Sequence, residues 1–558
     1  MKTPDAVSWN KVGETALLAL VFLAPLAAHG RTYDPNALRT ALVESCALAL
    51  AAAWLLKGLA RGRWEVAVAF RPALTPVLIL AAWTLARFAS SPFKSAAAPE
   101  LVLNLSAWTL YAVALLEFGG ARSAARLSFW TAAAASLIGA LAAAQRFTLG
   151  PGQLAAFAAA ALPIVLASRL DPEASPARRL LSGTTAAALA VLAAWSGSAR
   201  GLAAFELSAV IFAVTAVSIL RGPAARRTAV IALACAAAAA LVAAPVPESG
   251  TPGLFAQTGR VGGALLAWAL LAAAACGLRS ALTLRRAGAL AESGYAAAFA
   301  SAFTAWALAA ALGLAPSSGP GAWLAWAAGG LAAGMSPLAR PRGAVLALPL
   351  PFGADVRRLL QGPVLVLFVA LAVWPAGWLA SDVRYNRALA EARGGRLDAA
   401  LADAGRVWTG SAVYAPSLYL RGRVLMDQGK PGEALEAYAL LDGVSPDFSR
   451  VHARRAEAYA AAADWPASAR ERERQAALTP LDVSNLTAWA EAARSAGDTV
   501  SARRAAARAQ AVSPDDESVR LQLAANALLE KRLAARETAV SARRRRGTAS
   551  RRSTPRRP

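Results

Sequence analysis

The residues able to do chemistry are few, and they sit in apolar company. Arg200 lies in Trp195-Ser-Gly-Ser-Ala-Arg-Gly-Leu-Ala-Ala-Phe-Glu206, where a polar turn opens an apolar helix. An arginine held where hydrocarbon meets water is costly without an anionic partner, and its planar fork suits a phosphate. Arg260 and Arg87 stand at the ends of other apolar runs and extend this substrate-binding set. Glu206 and Glu44 each fall inside an apolar run, where acids are functional candidates by default. Arg200 with Glu206 and Glu44 would meet the two needs of group transfer from a phosphate leaving group to a hydroxyl. One is charge stabilisation, and the other is a base for the attacking proton. Each residue also has a plainer reading. An arginine at a helix end can simply set orientation, and a buried acid can hydrogen-bond a neighbouring helix or pair with an arginine such as Arg87. Cys46, Cys235 and Cys276 lie in apolar runs without ligand spacing, and His29 and His452 are the only histidines. No metal and no cofactor are therefore expected.

The elements that must position these residues are membrane helices. The chain has 558 residues, 57% hydrophobic and 16% charged, with a mean hydropathy of +0.42. That composition excludes a soluble globule. Apolar runs of spanning length recur near 14–30, 39–57, 72–90, 99–119, 127–145, 153–169, 179–196, 201–220, 227–245, 261–279, 294–314, 321–338 and 363–381. They predict about thirteen helices. The net charge of +24 gathers in alternate loops, such as Lys57 to Arg71, Arg169 to Arg179 and Arg340 to Arg358. The intervening loops, with Arg31, Arg39, Arg146, Arg200 and Arg260, are poorer. The positive-inside rule then places the N-terminus in the cytoplasm and Arg200 outside, and an odd helix count sends the C-terminal part outside too. Gly343–Phe352 is apolar but too short to span and is expected to lie at the interface. Losing one helix from the count would reverse the side of the C-terminal part.

After Ser381 the composition changes to Ala, Arg, Asp and Glu at helical spacing. Pro446, Pro480 and Pro514 are separated by 34 residues and 34 again, the tetratricopeptide period. Small residues fall at matching places, among them Gly395, Ala400, Gly422, Gly429, Ala434, Ala456, Ala490, Gly497 and Ala502, with Tyr438 and Tyr459 as aromatics. Residues 517–537 read as a capping helix. The expected fold class is all-α: a polytopic membrane helix bundle at 1–381, then a tetratricopeptide-type α-solenoid at 382–540. Such arrays bind protein partners on a concave face. Residues 541–558, with Arg543–Arg546, Arg551, Arg552, Arg556 and Arg557, read as a basic disordered tail. The basic balance reports membrane orientation, and no nucleic-acid partner is expected.

Three membrane stretches resemble the bacterial O-antigen ligase and polymerase superfamily, in the version with C-terminal tetratricopeptide repeats. Phe147-Thr-Leu-Gly-Pro-Gly-Gln-Leu-Ala-Ala-Phe157, running on to Leu162-Pro-Ile-Val, is similar to its Gly-Asn-Pro-Asn segment and Leu-Pro helix. Ser198-Ala-Arg-Gly201 resembles its Ser-Arg-Gly turn, and Gln257-Thr-Gly-Arg-Val-Gly-Gly263 its Glu-x-Gly-x-x-Gly helix entry. The resemblance implies glycan transfer from undecaprenyl pyrophosphate to a lipid or glycan acceptor on the periplasmic face of a bacterial inner membrane, without a metal. It implies that Arg200 grips the pyrophosphate. The chain departs from the family in lacking its large periplasmic loop and the histidine in it, and both asparagines of the first segment are gone. Arg260 does not match the family's second arginine.

Two functions follow. One is a glycosyltransferase-like ligase or polymerase of surface polysaccharide. The other is a catalytically degenerate scaffold that binds partners through its repeats. A lipid-glycan flippase is compatible with the helix count but fits the terminal repeats less well. A polyprenyl-phosphate mannosyltransferase is disfavoured, because the first outer loop offers only Asp34 where paired acids are needed.

Overall fold

The computed structural model describes residues 4–27, 31–91, 94–143, 151–242, 259–316, 319–335, 345–446, 448 and 450–552. It divides into two compact units, Met1–Val383 and Arg384–Pro558.

Among the described residues, helices of the first unit match the thirteen apolar runs one for one. They are α1 (Pro4–Leu26), α2 (Ala37–Arg61), α3 (Arg71–Ala89), α4 (Lys94–Glu117), α5 (Ala121–Ala143), α6 (Pro151–Leu170) and α7 (Pro176–Trp195). Then follow α8 (Ala199–Leu220), α9 (Pro223–Val242), α10 (Gly259–Arg286), α11 (Leu290–Ala311), α12 (Pro320–Gly334) and α13 (Ala354–Arg393). Ten of them are long and apolar enough to cross a membrane; α1, α7 and α12 fall outside that set. Prolines inside α1, α3, α4, α6 and α13 are the kind that membrane helices tolerate.

The centre is built from α6, α11 and α12. All fifteen residues of α12 are buried, and it packs against α4, α6, α10 and α11. At ~1.5 Å per residue it is shorter than the hydrocarbon thickness, so it forms a central post. Glycines let backbones meet there. A Cβ at Gly330 would run into the Tyr111 carbonyl, one at Gly334 into Leu115, and one at Gly321 into Ala156. Small residues at such contacts supply the close packing that hydrophobicity cannot supply inside lipid. Trp326 is ringed by Tyr111, Phe303 and Trp306 at centroid distances of 5.6, 5.2 and 5.7 Å.

The all-α expectation needs one correction. Arg63–Ala67 (β1) and Val345–Pro349 (β2) form a two-stranded antiparallel ribbon, with Arg63 opposite Pro349 and Ala67 opposite Val345. Within the apolar Gly343–Phe352 segment, Val345–Pro349 is thus a strand, because β1 supplies the ladder partner that its own sequence cannot reveal. Next, α13 is tied near both ends of α2. The Arg357 guanidinium lies over Gly62, the left-handed C-cap of α2, and Leu350 N–H donates to the Gly62 carbonyl at 3.0 Å. At the other end Asp382 accepts the backbone N–H groups of Tyr33 at 2.6 Å and Asp34 at 3.2 Å. Between these ties α13 is exposed, with only 11% of its apolar window buried.

The second unit is a row of helical hairpins. The end of α13 pairs with α14 (Leu397–Gly405), followed by α15 (Tyr414–Asp427) with α16 (Pro431–Val444), α17 (Val451–Ala461) with α18 (Trp465–Leu478), and α19 (Val483–Ser495) with α20 (Thr499–Val512). The period is set by sterics. Ala388, Gly422, Ala456 and Ala490 are all buried first-helix positions, and at Gly422 a Cβ would strike the Tyr438 ring. Ala400, Ala434, Ser468 and Ala502 are the matching second-helix positions, also buried. Each hairpin turn needs a left-handed residue: Gly395, Gly429, Ala463 and Gly497 have φ of 75, 73, 61 and 79°. Ala463 alone carries a Cβ there, which costs about 1–2 kcal/mol. We expect Ala463→Gly to stabilise this hairpin by about 1 kcal/mol once glycine's own entropy is counted, read as slower hydrogen exchange in α17 and α18.

The last helix, α21, runs Glu517–Arg552. It covers the predicted capping helix and continues through the first part of the stretch read as a disordered basic tail. The helix continues past 537 and through Gly547, and no proline falls within it.

Candidate functional site

The polar turn before α8 is first of all a capped helix start. Gly197 takes φ 68°, and Ser198 caps α8 by accepting the Gly201 N–H at 3.0 Å. Ser196 Oγ donates to the Ala193 carbonyl at 2.8 Å and closes α7. Gly201 lets α8 press on α6, since a Cβ there would meet Ala155. Arg200 is half-buried and takes part in an interaction within the chain. Glu206 is also half-buried, six residues further on. Helix geometry sets the two about 9 Å apart along the axis and about 120° apart around it, so they do not share a face.

Glu44 is 2% exposed, and both of its carboxylate oxygens are buried without a hydrogen-bond partner. Its helix, α2, packs on α1 and α4, whereas α8 packs on α6, α9 and α11. Glu44 and Arg200 therefore belong to different parts of the bundle. Arg87 is exposed in the last turn of α3, a helix packed on α4 and α10. Arg260 stands in the first turn of α10, and its side chain lies outside the described residues. So do Phe147–Gly150, the loop up to Thr258 and His29.

Two hollows lie near these elements. A groove of about 390 Å³ runs between α5 and α7, lined by Ser136, Gly139, Thr184, Thr185 and Ala188 and ending at Trp195. The Ser136 and Thr185 hydroxyls bridge it at 3.1 Å. Trp195, 55% exposed, stands five residues before Arg200. A second cavity, lined by Ser168, Arg178, Ser182 and Tyr295, is only about 20 Å³. That holds one water and no substrate.

Sequence reasoning missed three polar features. Arg39 looks like a loop residue but sits in the first turn of α2, 1% exposed. Its Nη1 donates to Asn36 Oδ1 at 3.0 Å, while Nε and Nη2 have no hydrogen-bond partner. Lys57 and Glu117 form an ion pair at neighbouring ends of α2 and α4. Asp382 makes the tie described above. Each lies at the edge of an apolar run, where charge is ordinarily read as orientation alone. Among the described residues no three His, Cys, Asp or Glu side chains form a metal-binding group.

In the second unit the polar residues do converge. His452 Nδ1 meets Glu471 Oε2 at 2.8 Å, and Arg474 and Arg455 reach Glu471 Oε1 at 2.9 and 3.5 Å. Arg454 donates to Tyr419 Oη at 3.0 Å and to Glu457 at 2.6 Å. Burial pushes the Glu471 carboxyl up, but the hydrogen bond from His452 and the charges of Arg455, His452 and Arg474 outweigh it, and its pKa lies below the usual value. A capping hydrogen bond from Ser501 lowers Asp498 similarly. A carboxylate with a depressed folded pKa stabilises the fold above its unfolded pKa, and that contribution is lost as pH falls through the folded value. The repeat unit should therefore lose protection progressively below about pH 4.5, and Glu471→Gln should flatten that dependence in α17 and α18. Hydrogen exchange at stepped pH reads both effects.

Fold and polar layout together define a multi-helix bundle with membrane-spanning candidates, joined to a helical-hairpin repeat of tetratricopeptide period. No protein-family model matches the chain, and no curated protein matches it. A solved structure, the crystal structure of the P58(IPK) TPR domain, aligns with 82% of this chain and 98% of its own at 11% identity, with a TM-score of 0.25. A score that low carries no argument, and the repeat rests on the hairpins, the left-handed turns and the buried small residues of this chain itself.

Proposed function

We propose that the protein is a multi-pass scaffold of a bacterial inner membrane, which binds a protein partner through its repeats and does no catalysis. The observation that carries this reading is the scatter of the candidate acids. Glu206 faces away from Arg200 by about a third of a turn, and Glu44 lies among α1, α2 and α4. A base and a phosphate grip must stand within hydrogen-bond reach of one reacting atom. The repeats, by contrast, have a complete hairpin framework with three packed cores of their own.

Topology follows the charge pattern. The loop from Arg61 to Arg71, beside Gly62, is arginine-rich, and the α1–α2 loop beside Asp382 is poorer. Because α13 is tied to both ends of α2, it runs from the first side to the second. This supports repeats on the arginine-poor side, which the positive-inside rule reads as periplasmic; the cytoplasmic N-terminus rests on the charge pattern alone.

A second reading keeps the chemistry implied by the resemblance: glycan transfer from undecaprenyl pyrophosphate to a lipid or glycan acceptor, with Arg200 on the diphosphate. The groove between α5 and α7 favours it, because a chain lying there would bring a headgroup to Trp195 and the turn that follows. Arg260 and Arg87 would then be secondary phosphate contacts.

A photoreactive residue tests the scaffold reading in cells. Placed at Arg423 on a first helix it should crosslink one discrete partner; placed at Leu440, on a second helix, it should not. No crosslink at Arg423, or equal crosslinking from both positions, removes the scaffold reading.

A further inference from the structure

We propose that the β1–β2 ribbon is a docking surface for anionic lipid headgroups on the arginine-rich side of the bundle. In an antiparallel pair, directly opposed residues share a face and successive residues alternate. The register therefore sorts the ribbon into two faces. Trp64, Val66, Leu346 and Leu348 make one, and it is wholly apolar. Arg63, Glu65, Ala67, Val345, Ala347 and Pro349 make the other, which carries the Arg63–Glu65 ion pair at 2.7 Å.

The apolar face points toward the helices. Trp64 stacks on Trp54 of α2 with ring centroids 5.9 Å apart, and Val66 packs on the bundle core, as does Ala67 where the strand ends, while Arg63 and Glu65 are exposed. Yet Leu346 and Leu348, on that same face, remain 39% and 46% exposed, so the ribbon overhangs the helices that support it. The first residues of α13 extend the overhang with Val356 and Leu359, 46% and 74% exposed.

Position identifies the occupant. β1 is separated from the spanning candidate α2 by one residue and from the spanning candidate α3 by three. β2 leads within a few residues into α13, itself a spanning candidate. A ribbon held this closely between spans lies at the membrane–water boundary. There an apolar overhang meets acyl chains and adjacent cations meet headgroups. Arg61, Arg71 and Arg358 are exposed around it. The Arg357 guanidinium lies over the α2 C-cap beside the ribbon, and its Nε is buried without a hydrogen-bond partner. A cluster of arginines beside an inserted apolar edge selects anionic over zwitterionic lipid.

The test uses the full chain in lipid nanodiscs, with Cys46, Cys235 and Cys276 replaced by alanine so that an introduced cysteine takes the only fluorophore. Probes at Leu346→Cys and Ala347→Cys sit on opposite faces. Lipids carrying a quencher high on the acyl chain should quench the first strongly and the second little. Equal quenching, or stronger quenching at 347, would overturn the insertion. Retention of phosphatidylglycerol against phosphatidylcholine by the purified chain, read by native mass spectrometry, tests the charge. Arg61→Gln and Arg358→Gln should each weaken phosphatidylglycerol retention by about fivefold, taking about 1 kcal/mol per basic residue. Equal retention of the two lipids by the unaltered chain would contradict the proposal, and that measurement needs no variant to fold.

Discussion

Replacing Gly330 by leucine should prevent the membrane unit from folding. Gly330 faces the Tyr111 carbonyl across the α12–α4 contact, and even a Cβ there has no space. The obstacle is backbone, so a rotamer change cannot relieve it; either α12 or α4 must move. Overpacking a tight core typically costs 1–3 kcal/mol, and a full side chain against backbone belongs at about 3 kcal/mol or more. The result should be loss of the monodisperse peak in detergent and of any cooperative melt. Gly362→Leu, in the exposed stretch of α13 where nothing lies within 4 Å, should leave both unchanged. A well-behaved Gly330→Leu protein would show that α12 is not the packed post described above.

The second large effect concerns the Lys57–Glu117 pair. Both side chains are nearly buried, at 10% and 13% exposure. Removing one partner strands the other charge, which costs about 3–5 kcal/mol, whereas removing both with apolar residues of similar size is close to neutral. Lys57→Met should therefore destabilise the bundle severely, and Lys57→Met with Glu117→Leu should recover most of the loss. Thermal melts of the two single variants and the double variant in one detergent complete the cycle. Additive single effects would mean that the two charges do not depend on each other.

These features show what the sequence could and could not convey. Among the described residues the thirteen apolar runs are thirteen helices, ten of them long and apolar enough to cross a membrane, because a long apolar run is stable only when its backbone is satisfied within the segment. The 34-residue period was legible for a comparable reason: Gly395, Gly429 and Gly497 occupy turns with positive φ, so their identity is dictated locally. Ala463 breaks the glycine pattern at an equivalent turn, yet the third hairpin takes the same left-handed turn as the others. The ribbon was invisible, since β1 and β2 are separated by almost the whole membrane unit and neither announces its partner. Lys57 and Glu117 were hidden because charges at the ends of apolar runs look alike whether they face water or one another.

The candidate site divides in the same way. The Ser198–Gly201 turn was readable because a cap and a small residue are local needs. Convergence of Glu44 with Arg200 is a tertiary property that spacing along the chain could not decide, whereas the offset of Glu206 from Arg200 follows from spacing within one helix. Six residues within one helix already carry Glu206 off the Arg200 face, and Glu44 depends on which helices α2 chooses as neighbours.

The scaffold proposal holds that Arg200, Glu206 and Glu44 form no common site among the described residues. The most direct measurement gives the purified full chain in nanodiscs an undecaprenyl-pyrophosphate glycan and a lipid or glycan acceptor, and follows release of undecaprenyl pyrophosphate. The scaffold account predicts release no faster than in empty nanodiscs, with Arg200→Ala indistinguishable from the unaltered chain. Glycan transfer that is abolished by Arg200→Ala would contradict it.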